Sequence, residues 1–142
     1  LINHVLYYGD AFQDKIIGPD FVIDPIKSLV NKNISWDVHT DSPVSPPDPL
    51  QMIWTMCTRQ SINYENNTLN TINPEQRITP YNALKGLTSE AAKSLHMDNI
   101  GTLEPGKLAD FVVLSDNPLD IDLELILNIQ VEQVYMDGDR IV

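Results

Sequence analysis

The sequence predicts an α/β fold that passes into a small β-region, and three observations carry that reading. Residues 34 to 41 alternate apolar and polar side chains. Strand-like and helix-like stretches take turns from Leu1 to the helix that opens at Pro49. From residue 99 onward the texture changes to turns and short apolar runs that end in a hairpin signal. Strand, helix, strand, helix in sequence implies parallel strands joined by right-handed crossovers. The domains expected are therefore 1–98 and 99–142.

Leu1 to Tyr8 is apolar apart from Asn3 and His4 and is broken by Gly9-Asp10, which reads as the tail of a strand and the loop after it. Ile16-Ile17-Gly18-Pro19 reads as a turn. Asp24-Pro25 looks like a helix start, with Ile26, Leu29 and Val30 at helical spacing and Asn31-Lys32-Asn33 as the stop. In the next stretch Ile34, Trp36 and Val38 share one parity, and Ser35, Asp37, His39 and Asp41 share the other. A strand sends alternate side chains to opposite faces, so the polar face ends in an imidazole and a carboxylate. Ser42-Pro43 ends the strand, because proline donates nothing to a ladder and restricts the residue before it. Asp48-Pro49 opens a helix, with Gln51 placed as a capping-box partner. Its apolar face is Leu50, Ile53, Trp54 and Cys57. A strand thus delivers His39 and Asp41 to a strand-to-helix loop, where α/β folds place their chemistry.

Residues 60–78 are polar and Asn-rich and read as a long loop. Thr79-Pro80 caps a helix with Tyr81, Ala83, Leu84 and Leu87 apolar, and Thr88 caps another through Leu95. Pro105-Gly106 is a turn, Phe111 to Leu114 a buried strand, and Leu123–Leu127 a helical turn. Val131 to Met136 and Arg140 to Val142 flank Asp137-Gly138, a strong hairpin signal.

The chain has 142 residues and is 42% hydrophobic, enough for one ordinary domain. Its net charge of −11 disfavours nucleic acid and anionic membranes as partners, since both are bound through positive charge. The single cysteine, Cys57, precludes an internal disulfide and falls on an apolar helix face, so a structural thiol is expected. The compartment stays open. The chain starts at Leu1, inside an apolar element, which suggests a piece of a longer protein.

Several stretches carry a family resemblance. His39-Thr-Asp41-Ser-Pro43-Val44, then Asp48-Pro49-Leu50 and Arg59, resembles the eighth-strand region of the metal-dependent amidohydrolases. Tyr7-Tyr8-Gly9-Asp10, Thr79-Pro-Tyr-Asn-Ala83-Leu and Ile100-Gly101-Thr-Leu103-Glu104-Pro105-Gly106-Lys107-Leu108-Ala109-Asp110-Phe111 agree with it. The best match is amidohydrolase family 3, in its exoenzyme regulatory protein-like branch. The resemblance implies a (β/α)8 TIM barrel, of which residues 1–98 would hold about strands seven and eight with their helices. The last 44 or so residues would supply strands of a small composite β-sandwich. It implies hydrolysis of an amide-like, non-peptide C–N bond of a small molecule, with one or two divalent metals, commonly zinc.

On that resemblance Asp41 is the catalytic carboxylate that contacts the metal and its water, takes the proton and hands it to the leaving amine. The family's histidine and carboxylate metal ligands from earlier strands are not in this chain, so it is expected to bind no metal and to be inactive alone. His39 reads equally as a pocket-lining residue or a hydrogen-bonded interior one. His4 would lie near the pocket mouth, with a structural role favoured, and Arg59 would bind substrate or pair with a carboxylate. Asp37 would face the barrel interior, Lys107 and Asp110 would dock the small domain, and His96 would be a surface residue. Two rivals stay open. One is a non-catalytic regulatory or interaction protein retaining the scaffold. The other is a small domain that binds metal through His4, His39 and Asp41. An incomplete barrel exposes strand edges and apolar helix faces, so oligomerisation through those edges is expected.

Overall fold

The computed structural model describes residues 1–16, 18 and 20–142, so the turn expected at Ile16–Pro19 lies partly outside the described residues. The first segment corrects the sequence reading. Ile2–Tyr7 is a wide, π-wound helical turn rather than a strand, with the Tyr8 amide donating to the Asn3 carbonyl at 3.0 Å. The reason lies in Ile2, Val5 and Leu6, which fall at i, i+3 and i+4 and are all buried. A short apolar run satisfies both helical and strand periods, and packing decides between them. Helix α1 (Gly9–Ala11) follows and continues as π-wound Phe12–Ile16. Helix α2 (Ile26–Asn31) starts where Asp24-Pro25 predicts, although no side chain caps it.

Residues 34–41 are a second correction. The segment joins no ladder among the described residues, and the first stretch meets it only through the Leu1 amino group and the Asn3 side chain, which donate to the His39 and Thr40 carbonyls. The alternation survives in part. Trp36 is buried and Val38 half-buried, while Ile34 and Asp37 are exposed. Asp37 therefore faces solvent rather than an interior.

Helix α3 (Pro49–Thr58) matches its sequence signals. The Asp48 carboxylate accepts from the Gln51 amide at 3.1 Å, and Pro49 occupies the first turn, where its missing N–H costs nothing. The return bond of a capping box is not made, since Gln51 Oε1 is enclosed without a partner among the described residues. Met52 through Thr58 are all buried, so α3 is the central element rather than a one-sided surface helix.

The long loop expected over 60–78 is ordered structure instead. Strands β1 (Gln60–Asn63) and β2 (Thr68–Thr71) form an antiparallel hairpin, followed by a 3-10 turn at Pro74–Gln76. Side-chain amides supply the order. Asn63 Oδ1 accepts from the Glu65 amide at 3.0 Å, and Asn66 Oδ1 accepts from the Thr68 amide at 3.2 Å. Helix α4 (Pro80–Leu87) is capped by Thr79, whose hydroxyl accepts from the Asn82 amide, and α5 (Ser89–Ser94) follows it. Tyr81 and Leu95 point to solvent, against the apolar faces assigned to them.

The tail forms a three-stranded antiparallel sheet in the order β3 (Phe111–Leu114), β4 (Val131–Met136), β5 (Asp139–Arg140). Asp137 and Gly138 both adopt positive φ, 50° and 85°, as the two-residue hairpin signal requires. Strand β3 is not buried as expected, with Val112 half exposed. Asp110 accepts from the Asp137 amide at 2.8 Å and so ties the hairpin turn to the start of β3. Lys107 pairs with Glu104 at 3.5 Å, and His96 is exposed.

One apolar cluster joins these parts. Ile2, Val5, Ile26, Trp36, Ile53, Met56, Cys57, Ile72 and Ile78 pack together, and Ile126, from the 3-10 segment Leu123–Asn128, enters the same core fully buried. Burial pushes the Cys57 thiol up to about 12 from its ordinary 9.0. The folded thiol then keeps its proton at a pH where the unfolded one has lost it. Its contribution to stability is fully present below pH 9 and declines as pH rises from 9 toward 12. At pH 8 in native buffer, a disulfide reagent is expected to leave Cys57 untouched while labelling it within minutes in urea. Rapid native labelling would contradict the burial.

Candidate functional site

Three stretches distant in sequence meet on one side of the core. The first carries His4, the second is the connection Phe21–Asp24, and the third is the extended segment ending at Asp41. Asn3 Nδ2 donates to the Thr40 carbonyl at 3.4 Å, which ties the first stretch to the third. His4 Nδ1 lies 3.3 Å from Asp24 Oδ1, which ties the first to the second. His4, Asp24, Asp37 and His39 line one open cleft of about 200 Å³, walled by Leu1, Pro25, Ile26, Leu29 and Val38.

Asp41 stands at the lip. It adopts a left-handed φ of 61°, and its carbonyl accepts from the Val44 amide at 2.9 Å across a turn with a cis Ser42–Pro43 peptide. The Asp41 amide donates to His39 Nδ1 at 3.1 Å. A backbone N–H can only donate, so His39 Nδ1 is an acceptor and its proton sits on Nε2. Ser45 closes the loop by donating its hydroxyl to the Thr40 carbonyl. Asp41 itself is exposed, and among the described residues its carboxylate has no hydrogen-bond partner.

Arg59 sits elsewhere in this arrangement. It follows α3 with a left-handed φ of 57° and is fully buried. Its Nε donates to the Ile72 carbonyl at 3.1 Å, and its terminal nitrogens reach the carbonyls of Ile23 and Asp24. Burial pulls its guanidinium below the ordinary range, while the Asp24 and Glu75 carboxylates pull the other way. The structure thus brings His4 and His39 into one cleft with Asp41 beside them, and places Arg59 behind it as a clamp on the connection that presents Asp24.

The sequence reading did not single out Asp24 as a site residue, because Asp before Pro is so frequent a helix start. It also passed over Asn73. That side chain accepts from the Ile23 amide at 2.9 Å and donates to the Phe21 carbonyl at 3.1 Å. Arg59 and Asn73 flank the β1–β2 hairpin, so the two stems of one hairpin grip one connection.

A divalent metal does not fit these residues by themselves. Among the described residues no three His, Cys, Asp or Glu side chains converge to hold an ion. The rival in which His4, His39 and Asp41 form a metal site of their own finds no support in this arrangement. No helix among the described residues is long and apolar enough to cross a membrane.

The sequence profile of the amidohydrolase family matches residues 2–142, and the chain belongs to that family, in its branch 3. It is similar to the protein LONG AFTER FAR-RED 3 of Arabidopsis thaliana, at 33% identity over 83% of this chain and 20% of that one. It is also similar to the N-substituted formamide deformylase of Arthrobacter pascens, at 25% identity over 80% of this chain and 20% of that enzyme. Among solved structures, an amidohydrolase from Thermotoga maritima MSB8 superposes with a TM-score of 0.59 and 28% identity. That match covers 82% of this chain and 25% of the other. The chain spans about a fifth of the length of the curated relatives it matches.

Proposed function

We propose that this chain is the C-terminal part of a metal-dependent amidohydrolase that hydrolyses an amide-like, non-peptide C–N bond in a small molecule. In that parent, residues 1–98 belong to the last two units of a (β/α)8 barrel and residues 99–142 to a small β-sandwich. The family match across residues 2–142 carries the proposal, and the likeness to an N-substituted formamide deformylase supports an amide-type substrate. Any divalent metal, one or two ions of zinc by the resemblance, would be held mainly by residues outside this chain, with Asp41 as this chain's contact to it. When bound it would supply an acidified water.

The role of this chain is to hold a proton acceptor in place. Asp41 offers a carboxylate free of competing hydrogen bonds, at the lip of a cleft, on a backbone locked by the His39 and Val44 contacts. Such a group suits a general base that takes a proton from water and returns it to the departing nitrogen. His4 and His39 line the substrate cleft beside it.

The test uses the full-length parent with zinc and a panel of small amides. Asp41→Asn should lower kcat by roughly 10² to 10⁴-fold, the usual worth of a positioned acid or base. Asn tolerates the left-handed φ and should leave the circular-dichroism spectrum unchanged. Undiminished turnover in the variant would sink the assignment. The second reading is a regulatory or interaction protein on the same scaffold. The match to LONG AFTER FAR-RED 3, whose name denotes no reaction, favours it. A zinc-loaded parent that hydrolyses no amide in the panel would decide for it.

Val44, Leu95 and Leu103 are 60%, 65% and 71% exposed, which is costly for apolar side chains left in water. We infer that they are covered in the parent or by a second copy. The chain alone is expected to elute from a sizing column as an oligomer, and elution as a compact monomer would contradict this.

A further inference from the structure

The two histidines of the cleft are wired in opposite senses. His39 Nδ1 accepts from the Asp41 amide, so its proton is on Nε2. His4 Nδ1 faces Asp24 Oδ1 at 3.3 Å, and a carboxylate only accepts, so the His4 proton is on Nδ1 and its Nε2 is bare when the ring is neutral. Asp24 is itself fixed. Arg59 holds its carbonyl and that of Ile23, Asn73 holds the Ile23 amide, and Asp24 adopts a left-handed φ of 44°. Its second oxygen, Oδ2, is enclosed and has no hydrogen-bond partner among the described residues.

We propose that Asp24 is a positioning residue which, together with the Asp41 amide, sets His4 and His39 in opposite tautomers, so that the cleft presents one acceptor and one donor to a secondary amide. His39 Nε2–H meets the amide carbonyl oxygen, and His4 Nε2 meets the amide N–H. A tertiary amide lacks that N–H and leaves His4 Nε2 unmatched, which is how a site rejects an analogue. The choice of secondary amides rests on the amidohydrolase reading above, whereas the tautomers do not.

The test has two arms on the full-length parent. The first is nitrogen-15 spectroscopy of the histidine rings at pH 8.5, where an ordinary imidazole is neutral. His4 and His39 are identified by loss of their signals in His4→Gln and His39→Gln. Opposite tautomers are expected. Asp24→Gly, which keeps the backbone conformation but removes the acceptor, should move His4 toward the Nε2–H form. Asp24→Asn keeps an acceptor oxygen and should restore the original spectrum. The second arm compares KM for N-phenylacetamide and N-methyl-N-phenylacetamide. The tertiary amide should be disfavoured on the order of tenfold, the worth of one hydrogen bond. Asp24→Gly should abolish that ratio and Asp24→Asn should keep it. Matching tautomers in the two rings, or a His4 spectrum indifferent to Asp24→Gly, would overturn the inference. Opposite tautomers with equal KM values would overturn the amide-matching role. Failure to turn over either anilide would instead count against the amidohydrolase reading, with the spectra still deciding what Asp24 does.

Discussion

Replacing Arg59 with methionine should cost about 3–5 kcal/mol of stability, since three carbonyls lose a charged donor and such hydrogen bonds are worth about 1.5–3 kcal/mol each without adding fully. The side chain is fully buried and donates to three carbonyls, those of Ile72, Ile23 and Asp24. Methionine fills much of the volume but leaves those acceptors short of a donor in a place water does not reach. It also removes a cation whose charge is felt by the Asp24 carboxylate. Lysine is not an adequate replacement, because a single ammonium cannot match a planar fork aimed at three oxygens, so Arg59→Lys should recover less than half of the loss. Urea unfolding gives the free energies. Hydrogen exchange at Ile23, whose amide bonds to Asn73, reports whether the connection loosens before the rest. A loss below about 1 kcal/mol would mean that water replaces the guanidinium and the clamp is not structural.

The consequence reaches the cleft. Arg59 does not itself line the cleft, yet it holds the carbonyl of Asp24, the lining residue that contacts His4. A modest weakening, as in Arg59→Lys, should therefore disturb the His4 environment before it unfolds the chain. This separates a substrate-binding role for Arg59, which acts by contact, from a supporting one, which acts through Asp24.

What was legible in the sequence was local chemistry. Asp48-Pro49 and Thr79-Pro80 each place an acceptor beside the first helical N–H groups, and both helices start there. Asp137-Gly138 gives the tail hairpin because the tight turn needs positive φ at both positions. What was not legible depended on partners distant in the chain. The alternation of Ile34, Trp36 and Val38 foretells a strand, but a strand exists only when another pairs with it, and residues 34–41 pair with none among the described residues. The Leu1–Tyr8 run fits two periods, and only packing of Ile2, Val5 and Leu6 on α3 resolves it. The 60–78 segment reads as loop because its asparagines resemble loop residues. Their side chains instead build the hairpin turn, and Asn63 and Asn70 both donate to the carboxylate of Asp10. The site divides the same way. Asp41 and His39 announce themselves by motif, whereas Asp24 gains meaning only from a contact with His4 across 20 residues of chain.

Gly86 to alanine should be among the most damaging small changes in the molecule, although in isolation it ought to help. Glycine inside a helix costs about 1 kcal/mol relative to alanine, so α4 would favour the substitution on propensity alone. The Trp36 ring forbids it. A Cβ at Gly86 would sit 2.3 Å from Trp36 Cη2 and 2.4 Å from Cζ3, far inside contact distance, against a rigid ring with no flexible end to swing aside. Trp36 is itself 7% exposed and packed in the core, so the helix must move or the ring must leave its site. A loss of about 3 kcal/mol is expected, the upper part of the range for overpacking a filled core. A double-mutant cycle makes the argument decisive. With Trp36 replaced by leucine the ring is gone, and adding Gly86→Ala should then be neutral or stabilising by up to about 1 kcal/mol. If Gly86→Ala costs the same in both backgrounds, its effect does not run through Trp36. The segment that leads to His39 and Asp41 would then be anchored at some point other than the seat of this ring on α4.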